Sequence, residues 1–288
     1  MGAAPGTHIV KQSHVCLDGI VTNIMIKVGE QVSNHIEIRE AICKAARTCG
    51  EMIVQADRES LRIESKQGQA NLVTKYDVSV ETYLREHLLQ IVPDAVFIGE
   101  ESDAQSDVGA KHAFIVDPID GTTNFIKDYH ASAISIALLD EGQVVTGVIY
   151  NPYLDEMFWA ERGKGAYCNE ERIHVSDQPL ENGLVLFGSS PYYKELWKPS
   201  FELAYTYFEK ALDIRRSGSA ALDLCSIAAG RAEVYFELRL SPWDYAAGSL
   251  LVEEAGGVIT DIDGNPIRFD RPSSILAQNF RIKDRSRR

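Results

Sequence analysis

The stretch Ala113-Phe114-Ile115-Val116-Asp117-Pro118-Ile119-Asp120-Gly121-Thr122-Thr123-Asn124 decides how this chain is read. Four apolar residues form a buried strand pattern that runs straight into an acid. Pro118 fixes its own φ and disfavours helix at Asp117, so the strand is expected to stop abruptly, with Asp117 and Asp120 close together on a rigid turn. Two neighbouring carboxylates repel, and a hard cation relieves them. Asp117, Asp120 and the carbonyl of Ile119 are oxygen donors of the kind Mg²⁺ accepts. Gly121-Thr122-Thr123 then offers open backbone N–H groups at the start of a helical turn, a cradle for phosphate. A plain turn is the competing reading, because Asp-Pro and Asp-Gly are common turn dipeptides.

Two helices precede this motif. Ile38, Ile42, Ala45, Cys49, Met52 and Ala56 recur three or four apart, and Val80, Tyr83, Leu84, His87, Leu88 and Ile91 do the same up to Pro93. Residues 66–71 between them read as a polar loop. Val96–Ile98 is a short strand leading into Glu100-Glu101, and Ser132–Leu139 with Val144–Tyr150 reads as a hairpin. A turn-rich hairpin is expected over residues 157–175, then strand 184–187, helix 195–212, helix 219–230, strand 234–237 and helix 243–255 before Gly256-Gly257. Helices and strands in this order predict a layered α+β fold. Residues 1–32 read as a loosely attached extension, 33–280 as the catalytic domain and 281–288 as a basic tail.

With 288 residues, 45% hydrophobic and 25% charged, the chain is long enough for a large core and has ordinary globular composition. Its 29 basic against 42 acidic residues give a formal charge of -13, a field that repels nucleic acid. An anionic substrate therefore needs a local positive source. No apolar run approaches the ~18 residues of a membrane helix. The N-terminal apolar stretch is interrupted by Asp18 and Asn23, which argues against a secretory signal. Five scattered cysteines lack metal-site spacing and read as reduced thiols in a cytoplasmic protein. Seven histidines without HxxxH spacing, and no GxSxG elbow, set aside zinc and serine hydrolases.

Taken together, Gly99-Glu100-Glu101-Ser102, the Asp117–Phe125 segment and Trp243-Asp244-Tyr245-Ala246-Ala247-Gly248 resemble the signature set of the inositol monophosphatase family over roughly residues 34–278. The resemblance implies an αβαβα sandwich, a homodimer, and Mg²⁺-dependent, lithium-sensitive hydrolysis of a small phosphorylated polyol or sugar. It implies that Glu100, Asp117 and the Ile119 carbonyl hold one ion, that Asp117, Asp120 and Asp244 hold a second, and that a third binds weakly near Glu100. Glu100 and Thr122 would orient the attacking water, and the Gly121 and Thr122 amides would meet the phosphate. Asp77, in Leu72-Val73-Thr74-Lys75-Tyr76-Asp77, matches the aspartate that fixes the catalytic threonine. Its rival role is as N-cap of a helix from Val78. Lys66 matches a loop lysine near the metal-phosphate centre. Gly218, Ser219, Ala220 and Glu237 match polyol-binding positions, although threonine or a small residue is usual where Ser219 stands.

Inositol monophosphate is the first expectation for the substrate. Related sites in the superfamily serve fructose bisphosphate, NADP, histidinol phosphate and 3′-phosphoadenosine nucleotides, and bacterial members also act as accessory factors for the transcription machinery.

Overall fold

The segment that carries the acids is the second strand of a seven-stranded sheet, and its shape differs from the expectation. In the computed structural model, which describes residues 36–57, 61, 63–67, 71–102, 109–279 and 281–282, with backbone alone at 65–67 and 71–72, β4 runs His112–Asp120 without stopping at Asp117. For reference, β1 is Glu64–Gln67, β2 is Asn71–Val73 and β3 is Val96–Gly99, while β5 is Ala133–Asp140 and β6 is Gln143–Asn151. Asp117 pairs with Ser135 and Asp120 with Ala133, so β4 spends one residue more than β5 over this interval. Pro118 has no N–H to give the ladder and is accommodated in that bulge. The bulge has a geometric consequence. Residues three apart lie on opposite faces of a regular strand; one extra residue restores the alternation and returns Asp117 and Asp120 to a common side.

The seven-stranded sheet has the order β3-β4-β5-β6-β7-β8-β9, where β7 is Glu156–Glu161, β8 is Gly165–Cys168 and β9 is Glu171–Ile173. Only β3 and β4 are parallel; the rest is an antiparallel meander. The expected hairpin of residues 157–175 is in fact these three strands. A second sheet has the order β11-β10-β12-β14-β13, with β10 Leu184–Phe187, β11 Asp213–Arg215, β12 Val234–Leu240, β13 Val258–Thr260 and β14 Ser273–Gln278. The expected loop at 66–71 is the junction of an antiparallel pair, β1 with β2.

Residues 1–41 and 42–288 form two compact units. Of the first, residues 36–41 are described and are helical. Helix α1 spans 36–54, and within the second unit it buries Ile42, Ala45, Ala46, Cys49 and Ile53. Arg47 Nη1 reaches the Tyr150 hydroxyl of β6 at 3.3 Å. Helix α2, Lys75–Ile91, buries Val80, Leu84 and Leu88 against β3 and β4. Short α3 is Thr122–Ile126, α4 is Lys194–Phe208, α5 is Ala220–Ala228 and α6 is Pro242–Glu254. Helices α5 and α6 lie between the two sheets, and α4 packs on the outer face of the smaller one. This layering is an αβαβα sandwich. It explains the even apolarity of α6, whose Tyr245 to Val252 are all buried because both of its faces meet a sheet. Buried Cys49 and Cys225 and half-buried Cys168 are free thiols, and Cys43 is half-buried.

Candidate active site

Three chain segments bring four acids together at one end of the larger sheet. The bulge of β4 brings Asp117 and Asp120, the turn after β3 brings Glu100, and the first turn of α6 brings Asp244. One carboxylate oxygen from each of Asp117, Asp120 and Asp244 lies within 4.8 Å of the others. These three and Glu100 line a cavity of about 400 Å³ together with Ile119, Gly121 and Thr122.

Each of the three aspartates is held in place by the backbone or by a hydroxyl. Asp117 Oδ1 accepts the Ile119 N–H at 3.0 Å. Asp244 is the third residue of α6, and its Oδ2 accepts the Ser241 N–H at 2.6 Å, one half of a capping box. Asp120 Oδ2 accepts the Ala221 N–H at 2.8 Å and the hydroxyl of Ser219, the N-cap of α5. Ser219 therefore orients Asp120 as well as lining the cavity, a role the sequence did not reveal.

The electrostatics are those of crowded, buried carboxylates. Burial first, and then the charges of Glu100, Asp120, Asp244 and Asp77, raise the Asp117 pKa well above the carboxylate range. Burial and the charges of Asp120 and Glu100 do the same to Asp244. Asp120 rises only to about 6, because Ser219 and the Ala221 amide stabilise its anion against the cost of burial. Clustered buried acids of this kind, with an additional backbone carbonyl at Ile119, form an all-oxygen hard donor set, which fits Mg²⁺.

Thr122 and Asp77 meet in the fold. Thr122 Oγ1 donates to Asp77 Oδ1 at 3.3 Å and also lies 3.2 Å from the Ile119 carbonyl oxygen. The N-cap alternative for Asp77 is corrected: α2 starts earlier than Val78, with Thr74 as N-cap and Asp77 as the third residue of a capping box. Asp77 Oδ2 accepts from the Thr74 N–H at 2.8 Å and from its hydroxyl at 2.6 Å, leaving Oδ1 for Thr122. Gly121 precedes α3 with φ 87°, a left-handed conformation that suits glycine.

Gly218, Ser219, Ala220 and Glu237 line the same cavity. Glu237 is buried, and its two oxygens accept from the Ser190 N–H at 2.7 Å and the Tyr235 hydroxyl at 3.0 Å. Lys66 falls on β1, and its side chain lies outside the described residues, as do residues 1–32 and the tail beyond 282. Sequence reading missed Asp223, Arg216, Arg239, Tyr192 and Tyr193, all of which line the cavity. No local pattern marks them; they come from three segments that meet only in the fold.

A profile of the inositol monophosphatase family matches residues 34–286. The inositol-1-monophosphatase of Bacillus subtilis is 34% identical over 249 residues, covering 86% of this chain and 94% of its own. The Nus factor SuhB of Vibrio cholerae is 38% identical over 225 residues, covering 77% of this chain and 85% of its own. The crystal structure of the extragenic suppressor protein suhB from Bartonella henselae is similar with a TM-score of 0.79 at 38% identity, over 85% of this chain and 95% of that one. With the acidic motifs, the layered sandwich and these likenesses in agreement, the chain belongs to the inositol monophosphatase family.

Proposed function

We propose that the chain hydrolyses a small phosphomonoester in a Mg²⁺-dependent reaction, with inositol monophosphate as its main substrate. The observation that carries this reading is the meeting of the Asp117, Asp120 and Asp244 carboxylates within 4.8 Å on the wall of one cavity. In this reading Glu100, Asp117 and the Ile119 carbonyl hold one cation, Asp117, Asp120 and Asp244 hold a second, and a third binds weakly near Glu100. Bound cations supply the positive charge that neutralises the ester and makes a water nucleophilic for in-line attack.

The chain's own groups do the positioning. Thr122 spends its proton on Asp77 Oδ1, which leaves its oxygen lone pairs free to accept from the attacking water. Glu100 accepts from that water on its other side. The Gly121 and Thr122 amides meet the phosphate oxygens, and Lys66 is the further cation assigned to that end. Gly218, Ser219 and Ala220 shape the polyol end, where Glu237 accepts from ring hydroxyls with lone pairs that its two internal hydrogen bonds leave over. The enzyme is lithium-sensitive in this reading, works in the cytoplasm and uses residues 33–280 as its catalytic domain; among the described residues no helix is long and apolar enough to cross a membrane. Phosphate release from inositol 1-phosphate with Mg²⁺, and then with the ion chelated, tests the proposal. Release that ignores chelation, or none from any inositol, sugar or nucleotide monophosphate, removes it.

The partner in this reading is a second copy of the chain. Helix α4 exposes Trp197, Phe201, Tyr205 and Phe208 along one stripe, between 41% and 62% accessible. A two-fold pairing along this stripe would bury the exposed rings of both copies. The likeness to the Vibrio cholerae Nus factor SuhB favours a second reading, an accessory role in transcription. Phosphate release that is dispensable in cells, with a phenotype from surface substitutions, would support it.

A further inference from the structure

We propose that Tyr192 touches the substrate: its phenol hydroxyl donates a hydrogen bond to a phosphoryl oxygen of the ester held at the carboxylate cluster. The inference rests on the phosphatase reading above and adds to it a donor that no sequence motif marks.

Tyr192 lines the cavity that also holds Glu100, Asp117, Asp120 and Asp244. It is 52% exposed, so a ligand can reach it. Tyr150, Tyr235 and Tyr245 give their hydroxyls to protein oxygens, whereas that of Tyr192 has no hydrogen-bond partner among the described residues. Burial first, and then the charges of Glu100, Asp244, Asp117 and Asp120, raise the pKa of this phenol. An influence from all four acids agrees with a hydroxyl that stands beside the cluster.

The tyrosine is carried on a braced turn. The Tyr193 N–H donates to the Ser190 carbonyl at 2.9 Å, closing a β-turn in which Pro191 takes the second place and Tyr192 the third. Pro191 fixes its own φ, and Ser190 is buried with φ 44°, a left-handed conformation unusual for serine. Three segments hold this turn. From β12, Glu237 accepts the Ser190 N–H at 2.7 Å and the Arg239 N–H donates to Ser190 Oγ at 3.1 Å. Beyond β11, Arg216 Nε donates to Ser189 Oγ at 3.1 Å, and from α4 the Trp197 indole donates to the Pro191 carbonyl at 3.1 Å. A tyrosine has few side-chain torsions, so on a fixed turn it loses little freedom when it meets a ligand.

The chemistry of the cavity gives that hydroxyl a use. Phosphate oxygens need donors, yet ionised acids can only accept and the Thr122 hydroxyl is given to Asp77. Tyr192 supplies a neutral donor where the wall is otherwise rich in acceptors. Three rival roles are a plain wall, a donor to Glu100 and a contact to the polyol, and they separate in one variant.

Tyr192→Phe deletes the hydroxyl and keeps the ring. In the full chain with Mg²⁺, its KM for inositol 1-phosphate should rise about 10- to 100-fold, the worth of a hydrogen bond to a charged acceptor. Its kcat should stay near that of the parent, because the bond is present in both substrate and transition state. Inorganic phosphate carries the same oxygens without the polyol, so its inhibition constant should rise in parallel. The Mg²⁺ concentration for half-maximal release and the melting temperature should not change, since an exposed hydroxyl without a protein partner adds little to the fold. If neither KM nor phosphate inhibition moves, Tyr192 is only a wall and the proposal is wrong. A raised KM with unchanged phosphate inhibition assigns the hydroxyl to the polyol, and a raised Mg²⁺ requirement assigns it to Glu100; either overturns the proposal. Calorimetry of inorganic phosphate with Mg²⁺ on both proteins keeps the two claims apart. Weaker phosphate binding by Tyr192→Phe, in a chain that cleaves no ester, removes the phosphatase reading and keeps the contact; cleavage with equal phosphate binding does the reverse.

Discussion

The Glu81 carboxylate of α2 accepts the backbone N–H of Glu101 through Oε2 at 2.7 Å, directly behind the turn that presents Glu100. The pair leaves no room for a side chain at Gly99, where a Cβ would come within 2.2 Å of the same oxygen. Glu81 is buried, and Arg85 stands 3.6 Å from its other oxygen. One helix therefore sets two parts of the site, the Glu100 turn through Glu81 and Thr122 through Asp77.

Removing that brace should loosen Glu100 without touching the acid itself. Glu81→Ala is expected to raise the Mg²⁺ concentration needed for half-maximal phosphate release by about 10- to 100-fold, the usual penalty for losing a group that orients a ligand. Glu81→Gln, which still accepts the Glu101 N–H, should recover most of it. Equal behaviour of the two variants would refute the brace.

Asp77 has a dual assignment that can be separated. Its Oδ2 serves the capping box and its Oδ1 serves Thr122. Thr74→Ala should cost about 1 kcal/mol of stability through the cap alone and leave kcat near normal. Asp77→Ala should cost a similar stability and in addition lower kcat by about 10- to 100-fold. Thermal melts and steady-state rates on both variants decide; matching kcat values would confine Asp77 to the helix.

Metal-free protein should respond to pH in the sense opposite to an ordinary surface acid. The Asp120 carboxyl titrates at about 6 in the fold, above its ordinary 3.8, so between these values the folded state binds more protons than the unfolded one. Stability is then greatest at about pH 4 and falls as pH rises through about 6, by roughly 3 kcal/mol from this group alone. Asp117 and Asp244 shift in the same direction and add to the trend. Chelated protein is expected to melt at lower temperature at pH 7.5 than at pH 5, and Mg²⁺ should restore stability at pH 7.5 far more than at pH 5. A melting temperature that instead climbs from pH 5 to 7.5 without metal would contradict this.

The same repulsion predicts an unusual mutant. Asp117→Asn removes one buried charge from a crowded set, so the metal-free variant should be as stable as the parent or more stable at pH 7.5. It should also lose the stabilisation by Mg²⁺ and reduce turnover on the order of 100-fold or more. A variant that unfolds, or that keeps full activity, would count against the metal assignment.

If the stripe on α4 is a self-association surface, a charge in its middle should break it. Phe201→Asp is expected to shift the protein from dimer to monomer in analytical ultracentrifugation at micromolar concentration. An unchanged sedimentation coefficient would place the partner surface elsewhere.

The sequence by itself determined the parts of this protein whose signal is local. Helical spacing marked α1 and α2, turn residues marked the β5–β6 hairpin, and the acidic strand and helix ends at Glu100, Asp117, Asp120 and Asp244 marked the chemistry, because each needs only a few adjacent residues to be seen. Strands β11 and β13 were invisible, being three residues long, too short for any period to register. β14 was missed because its main ladder, with β12, joins strands far apart in the chain. Tertiary structure alone decided how the acids face one another. The bulge at Pro118 depends on the register of β5, and the grip of Ser219 on Asp120 spans 99 positions. It also decided that Arg216 and Arg239 meet the Ser189-Ser190 turn. Hydrogen bonds across such separations form only after chain closure has brought the segments together, so no stretch of sequence carries them.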